Sequence, residues 1–341
     1  MVFYIIPYVF MIFMALLSIK IKGNGFKFLF LLGIIPSLFI IGMRGDVGTD
    51  TAAYISLINY SNVDLEERVS TLEPFFLMIV YLKNYFNLES RLVLNIFSVS
   101  IVLVLFSFFY KNKHRFLIFS FLIFPVFLYD MTMNGIRYGM AFALSCFFIS
   151  QSKENLYKFS SSNFIYFLSL LNHKTAIFFY IFKNAQSASI KNFIVICFVM
   201  ILGFFTLQGY LVDKLSLYSE YSSPSIFSGV QPLIISFLLL TTNSIFFKKN
   251  LRRNSYLFVI QLIFYIVTQF SYAGIRFQFL ELFYIIVLLV LDKETKNYNV
   301  YMLLLMLIGL FGFLFRLNNF YSTIGQGESP FLPYNFFWEN K

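Results

Sequence analysis

The feature that most constrains this chain is a succession of long apolar runs, near residues 3–19, 28–43, 92–110, 116–129, 136–150, 192–208, 231–247, 255–270, 277–291 and 298–315. No single soluble core can absorb so many. Hydrophobic residues make up 59% of the chain and charged residues 12%, whereas a soluble domain carries about 25% charged residues. Too little polar surface remains to wet the outside, so lipid must be the solvent. In lipid every backbone N–H and C=O has to be satisfied internally, which leaves helices or a closed barrel. The runs do not alternate with a period of two, and that excludes an outer-membrane barrel. The expected fold is all-α: a polytopic transmembrane helix bundle of about 10–12 membrane segments, forming one integral membrane domain over residues 1–341.

The formal charge of +10 does not point to nucleic acid. The basic residues gather in short clusters between apolar runs: Lys20, Lys22 and Lys27; Lys111, Lys113 and Arg115; Lys248, Lys249, Arg252 and Arg253. That is how cytoplasmic loops are marked. Cys146 and Cys197 fall inside apolar segments and read as small core residues. With only His114 and His173 present, a His-rich metal site is set aside. Residues 1–19 lack a basic leader and a small-residue cleavage site, so they read as a retained first span.

Placing the clusters inside orients the chain. The N-terminus starts outside, residues 44–72 lie outside, and only one true span fits between Glu73 and Tyr110. The short stretch 74–87 contains Lys83 and starts at Glu73-Pro74, a helix-opening pair. It is expected to form an amphipathic helix on the outer interface. Residues 160–183 are long enough to span, yet Asn172, His173 and Lys174 interrupt them and basic residues flank both ends. A broken re-entrant hairpin with His173 near its tip satisfies both facts. Gly209–Val230 is expected to be an outer loop and Arg316–Lys341 an outer tail.

Several charges then remain on the costly side. Arg44, Arg137, Arg276 and Arg316 map to outer helix ends, together with Asp46, Asp50, Glu73 and Asp130; Glu281 lies about one turn inside the span that Arg276 opens. Ionisable groups near hydrocarbon usually line a pathway or site. Arginine grips phosphate with a planar fork of donors and stays charged when partly desolvated. Any one arginine could equally snorkel and pair with a nearby carboxylate, as Arg44 with Asp46. Four together suit an anionic ligand better, such as a lipid-linked diphosphate.

Three segments carry the chemistry. In Gly42-Met43-Arg44-Gly45-Asp46-Val47-Gly48-Thr49-Asp50, followed by Tyr54, the glycines permit close backbone approach. Asp46 and Asp50 have the chemistry to accept a hydroxyl proton, bind sugar hydroxyls or hold a divalent cation. An Asp/Gly turn leaving a helix is the plainer explanation. Asn134-Gly135-Ile136-Arg137 opens another span, with its arginine at a helix N-terminus that favours anions. In Asn172-His173-Lys174-Thr175-Ala176, the histidine is more often a structural donor than a catalyst, although its ordinary pKa suits proton transfer. Tyr54, Tyr129, Tyr138, Tyr272 and Tyr321 could form an interfacial belt or stack on sugar rings.

Arg44 with Gly48-Thr49-Asp50 and Tyr54, Glu73-Pro74, Ile136-Arg137 with Gly139 and Ala141, and His173 with Ala176 together resemble the EpsG and Wzy-type polysaccharide polymerases. Lys174 and Thr175 stand where that family has Pro or Ser after the histidine, and Tyr138 where glutamine is frequent. The resemblance implies a multi-pass glycosyltransferase of the bacterial inner membrane, without a cofactor. It would polymerise O-antigen, capsule or exopolysaccharide repeats carried on undecaprenyl diphosphate, working beside a chain-length regulator and a flippase. It further implies Arg44, Arg137 and Arg276 on diphosphates, Asp46, Tyr54 and Glu281 at the substrate, and Asp50, Glu73 or His173 as base. A lipid-linked glycan flippase or an O-antigen ligase is the alternative. The flippase would spread its charges along a path through the membrane, and the ligase would carry a larger outer loop.

Overall fold

The computed structural model describes residues 1–60, 73–151, 160–185, 225, 227–292, 295, 297–321 and 329–339. The expected span at 192–208, Cys197 and most of the loop from Gly209 to Val230 lie outside these residues. In chain order the helices are α1 (Val2–Lys20), α2 (Gly25–Gly42), α3 (Thr51–Ile58), α4 (Pro74–Tyr85), α5 (Ser90–Phe109) and α6 (Lys113–Ile118). The last of these runs on as wider π-helix through Phe119–Leu128 and Asp130–Asn134. Then come α7 (Ile136–Ile149), α8 (Ser161–Asn172), α9 (Ile177–Ala185), α10 (Val230–Phe246), α11 (Leu251–Thr268), α12 (Ala273–Leu289) and α13 (Tyr298–Tyr321). Among the described residues the only β contact is an isolated antiparallel bridge between Arg44 and Phe336. The protein is an all-α bundle.

Helices α1, α2, α5 and α13 are long and apolar enough to cross a bilayer, and α7 and α10 are shorter apolar helices. A helix of 18 residues rises about 27 Å, close to the ~30 Å hydrocarbon core. On α1, Tyr4, Tyr8, Met11 and Ala15 recur at steps of three and four and face inward. Ile6 and Val9 stand outward at 56% and 58% exposure. Both faces are apolar, as lipid contact requires.

The described residues gather in two compact units: Met1–Ala176 with Leu305–Lys341, and Ile177–Leu304. The axis of the first unit is the helix from Lys113 to Asn134. Every residue from Phe116 to Leu128 is buried, so the helix is apolar all round because protein covers it all round. Pro125 sits within its π-helical stretch; proline removes a backbone donor and disturbs the regular ladder. On α13, a Cβ at Gly309 would fall 1.6 Å from the Phe121 carbonyl oxygen. Only glycine allows that approach to the axis.

The basic clusters of this unit share one end. Lys113 Nζ donates to the Ile19 carbonyl at 2.7 Å, capping the C-terminus of α1, and Lys27 lies over the Tyr110 ring. The opposite end holds Tyr4, the loop after α2, and Asp130–Arg137. Here the chain's last described segment returns as more than a tail. Gly45 N–H donates to Asn335 O at 2.8 Å, Gly48 N–H to Pro330 O at 2.8 Å, and Phe337 N–H to Met43 O at 3.1 Å.

Two expectations change in detail and a third holds. Helix α4 exists and, at 12 residues, rises about 18 Å, too little to span. It is not amphipathic in the expected sense: Phe76, Leu77 and Val80 face inward, yet the outward Met78, Tyr81, Leu82 and Tyr85 are also largely apolar. Tyr54 and Tyr129 are 6% and 1% exposed, so they are core residues and not an interfacial belt. The chain does break at His173, between α8 and a 3₁₀ turn at Lys174–Ala176.

Candidate functional site

The loop from Met43 to Asp50 is held in place before it can do chemistry. Gly48 adopts φ +111°, and a Cβ there would come 2.2 Å from the Met133 carbonyl oxygen. Both the backbone conformation and the space demand glycine. The Thr49 N–H and hydroxyl both donate to Asn134 Oδ1, at 3.0 and 3.1 Å. The Asn134 amide donates to Asp130 at 2.9 Å, and Asp130 is ion-paired with Arg316. Arg316 also donates to the Val126 carbonyl at 3.2 Å. The loop is thus clipped to the end of the axial helix.

Arg44 is fully buried. One of its terminal nitrogens donates to Ser98 Oγ at 3.1 Å, while its other two side-chain nitrogens have no partner among the described residues. Its carbonyl accepts from Asn95 at 3.1 Å. Burial pushes the guanidinium down to about 10, despite the favourable pull of Tyr334, Tyr54 and Tyr4, so it stays charged at neutral pH. The alternative pairing with Asp46 does not occur: Asp46 binds Arg91 at 2.6 Å instead. Direct substrate contact by Arg44 is also closed off in this conformation, since no part of it reaches the surface.

Glu73, Arg137 and His173 come from three distant segments and meet. Glu73 stands at the N-cap position of α4, makes no side-chain capping bond and is 4% exposed. Its Oε2 accepts a hydrogen bond from the Arg137 guanidinium, and its Oε1 lies 3.9 Å from His173 Nε2. Arg137 also sits over the rings of Tyr54 and Phe76, 5.7 and 5.5 Å from their centres. The Thr175 N–H donates to His173 Nδ1 at 3.3 Å, and the Thr175 hydroxyl is 2.7 Å from the same nitrogen. A neutral imidazole accepting at Nδ1 carries its proton on Nε2, so the N–H points toward Glu73. Burial raises the Tyr54 phenol against the opposing pull of Arg137, keeping it a neutral donor.

Asp50 flanks this group from the start of α3. It is exposed and makes no side-chain cap, though its charge is felt at Tyr54 and Asp130. Asp46 and Arg91 border a shallow depression of about 640 Å³, completed by Ser56, Asn59 and Tyr60. Among the described residues no three His, Cys, Asp or Glu side chains converge as a metal-ligand set.

Arg276 and Glu281 belong to the second unit. Arg276 is exposed on the first turns of α12. Glu281 is fully buried, near the middle of that helix and not at an outer exit. Sequence reasoning missed Arg91, the part Asn134 plays in holding Thr49, and the return of residues 329–339 over the loop. Arg91 was hidden because it sits at the mouth of an apolar span. The returning segment does carry a usable signal in its aromatic residues Phe331, Tyr334, Phe336, Phe337 and Trp338.

An all-α membrane bundle with an arginine, a carboxylate and a histidine gathered at one end defines the class: a polytopic membrane protein with a built polar site. The chain belongs to the EpsG family, whose model matches residues 27–336, and membership supports a polysaccharide-polymerase type of role. Neither the curated proteins nor the solved structures gave a match.

Proposed function

We propose that the protein polymerises oligosaccharide repeat units of an O-antigen, capsule or exopolysaccharide. It would transfer the growing glycan from undecaprenyl diphosphate to a new lipid-linked repeat, at the outer face of the bacterial inner membrane. The observation that carries the reading is the meeting of Glu73, Arg137 and His173 beside Tyr54, at the end of the unit opposite the lysine clusters.

The chemistry follows from the hydrogen bonds. Arg137 is shared: it holds Glu73 at rest, and an arriving diphosphate competes for the same guanidinium. As Arg137 turns to the phosphate, the Glu73 carboxylate is released as the general base. It takes the proton of the acceptor hydroxyl, whose oxygen forms the new bond to the donor's anomeric carbon. The bond from that carbon to the diphosphate breaks, and undecaprenyl diphosphate leaves with the electron pair, its charge met by Arg137. The His173 N–H stabilises the Glu73 side chain while its partner is engaged. In this scheme Arg44 is a supporting charge beneath the loop, and Asp46, Arg91 and Tyr60 offer a surface for sugar rings.

Deleting the gene and examining surface glycan on a gel tests the reading. The expected outcome, where an O-antigen is made, is a core bearing one repeat unit and no long ladder. Loss of even the single repeat would point to the flippase or ligase instead.

A further inference from the structure

The second unit contains a polar group that the polymerisation site does not use. Helices α10, α11 and α12 pack against one another, α11 running antiparallel to the other two, and their register can be read from their contacts. Between α11 and α12, Gln278 Nε2 donates to Thr268 Oγ1 at 2.7 Å and Arg253 pairs with Asp292 at 2.8 Å. Gly274 lies directly against Thr268. These contacts set Gln261 within about one helical turn of Glu281. Between α10 and α11, Asn254 donates to Asn243 at 2.8 Å, and the Phe237 and Phe258 rings meet at 5.4 Å. That pairing sets Ser236 level with Gln261.

All three side chains are fully buried, with 0% exposure. Both carboxylate oxygens of Glu281, both amide atoms of Gln261 and the Ser236 hydroxyl lack a partner among the described residues. The inward face of α11 bears Asn254, Leu257, Gln261 and Thr268, so Gln261 points into the trio. Five orphaned polar atoms near the middle of three packed helices are not ordinary core packing, because buried polar groups are normally satisfied. In a lipid-embedded bundle such residues are retained for a function.

We propose that Ser236, Gln261 and Glu281 form an intramembrane site for one monovalent metal cation, sodium being the ion its donors suit. The carboxylate supplies one negative charge, which one sodium ion neutralises; a divalent ion would leave a net charge stranded in a low dielectric. The neutral ligands are oxygens, the Gln261 carbonyl and the Ser236 hydroxyl, as a hard cation prefers. A proton on Glu281 supplies a single O–H donor, whereas a cation draws oxygens of all three side chains to one centre. A coordinated ion with a water in its shell engages them all, the amide N–H donating to that water. The site belongs to the second unit and does not depend on the polymerase reading.

The test uses the full-length protein in nanodiscs. Dicyclohexylcarbodiimide, which attacks carboxyl groups in apolar surroundings, is applied in sodium chloride or in choline chloride, and Glu281 modification is read by mass spectrometry. Sodium is expected to protect Glu281 where choline does not, and radiolabelled sodium should bind saturably at one ion per chain. Glu281→Gln should abolish binding, and Gln261→Leu or Ser236→Ala should weaken it about tenfold. Equal modification in both salts, no modification in either, or sodium binding that survives Glu281→Gln would each overturn the proposal. The salt comparison needs no variant, so a misfolded mutant cannot leave it undecided.

Discussion

Glu73→Gln is the sharpest perturbation of the proposed chemistry. It keeps the size of the side chain and one carbonyl acceptor for Arg137, but removes the charge and the basicity. The Glu73 side chain is 6% exposed and the Arg137 side chain 24%. Breaking a fully buried pair costs about 3–5 kcal/mol, and an exposed one contributes about 0.2–1 kcal/mol. Partial exposure of the arginine and the surviving amide acceptor put the stability loss near 2 kcal/mol. Loss of a general base lowers turnover by about 10²–10⁴-fold, so the activity loss should far exceed what stability explains. The assay is initial-rate extension of a synthetic lipid-linked repeat in nanodiscs, with thermal unfolding measured on the same preparation. A parallel cycle with Arg137→Met should give a stability coupling of about 1–2 kcal/mol. If Glu73→Gln keeps turnover within about threefold of the parent while Asp50→Asn loses it, Glu73 is not the base and the exposed Asp50 takes its place.

Three further outcomes follow from the geometry. Gly48→Ala should destabilise the protein by about 2–4 kcal/mol, since the strain at φ +111° adds to a clash with the Met133 backbone; an unchanged melting temperature would contradict it. Arg44→Met should leave stability equal or raise it by up to about 2 kcal/mol, because Arg44 is buried without a carboxylate, while slowing polymerisation; a marked fall in melting temperature would show that its bond to Ser98 outweighs the buried charge. Arg91→Ala should cost under about 1 kcal/mol, because Asp46 is 56% exposed, yet raise KM for the acceptor with little change in kcat; an unaltered KM would remove the depression at Asp46 from the glycan path.

The parts legible in the sequence were those that depend on local pattern. Hydropathy marks a span because a helix in lipid must hide its own backbone over its own length, and α1, α2, α5 and α13 are found where the apolar runs stand. The break at His173 was legible for the same reason: Asn172, His173 and Lys174 interrupt a run that would otherwise continue. Lysine clusters gave the two ends of the first unit, because charge placement obeys a rule of loops and not of packing.

What only the tertiary structure decided is which residues meet. Arg44 and Asp46 are two apart and looked like partners, yet the loop turns one inward to Ser98 and the other outward to Arg91. Nothing local predicts that, since it depends on the rotation of α5 and on the segment 329–339 closing over the loop. The meeting of Glu73 with Arg137 and His173 spans about a hundred residues of chain, and the burial of Ser236, Gln261 and Glu281 within about one turn of one another needs three helices in register. Periodicity states which face of a helix is apolar. Which partner that face finds, and what polar groups are carried into the same layer, is set by how the helices pack.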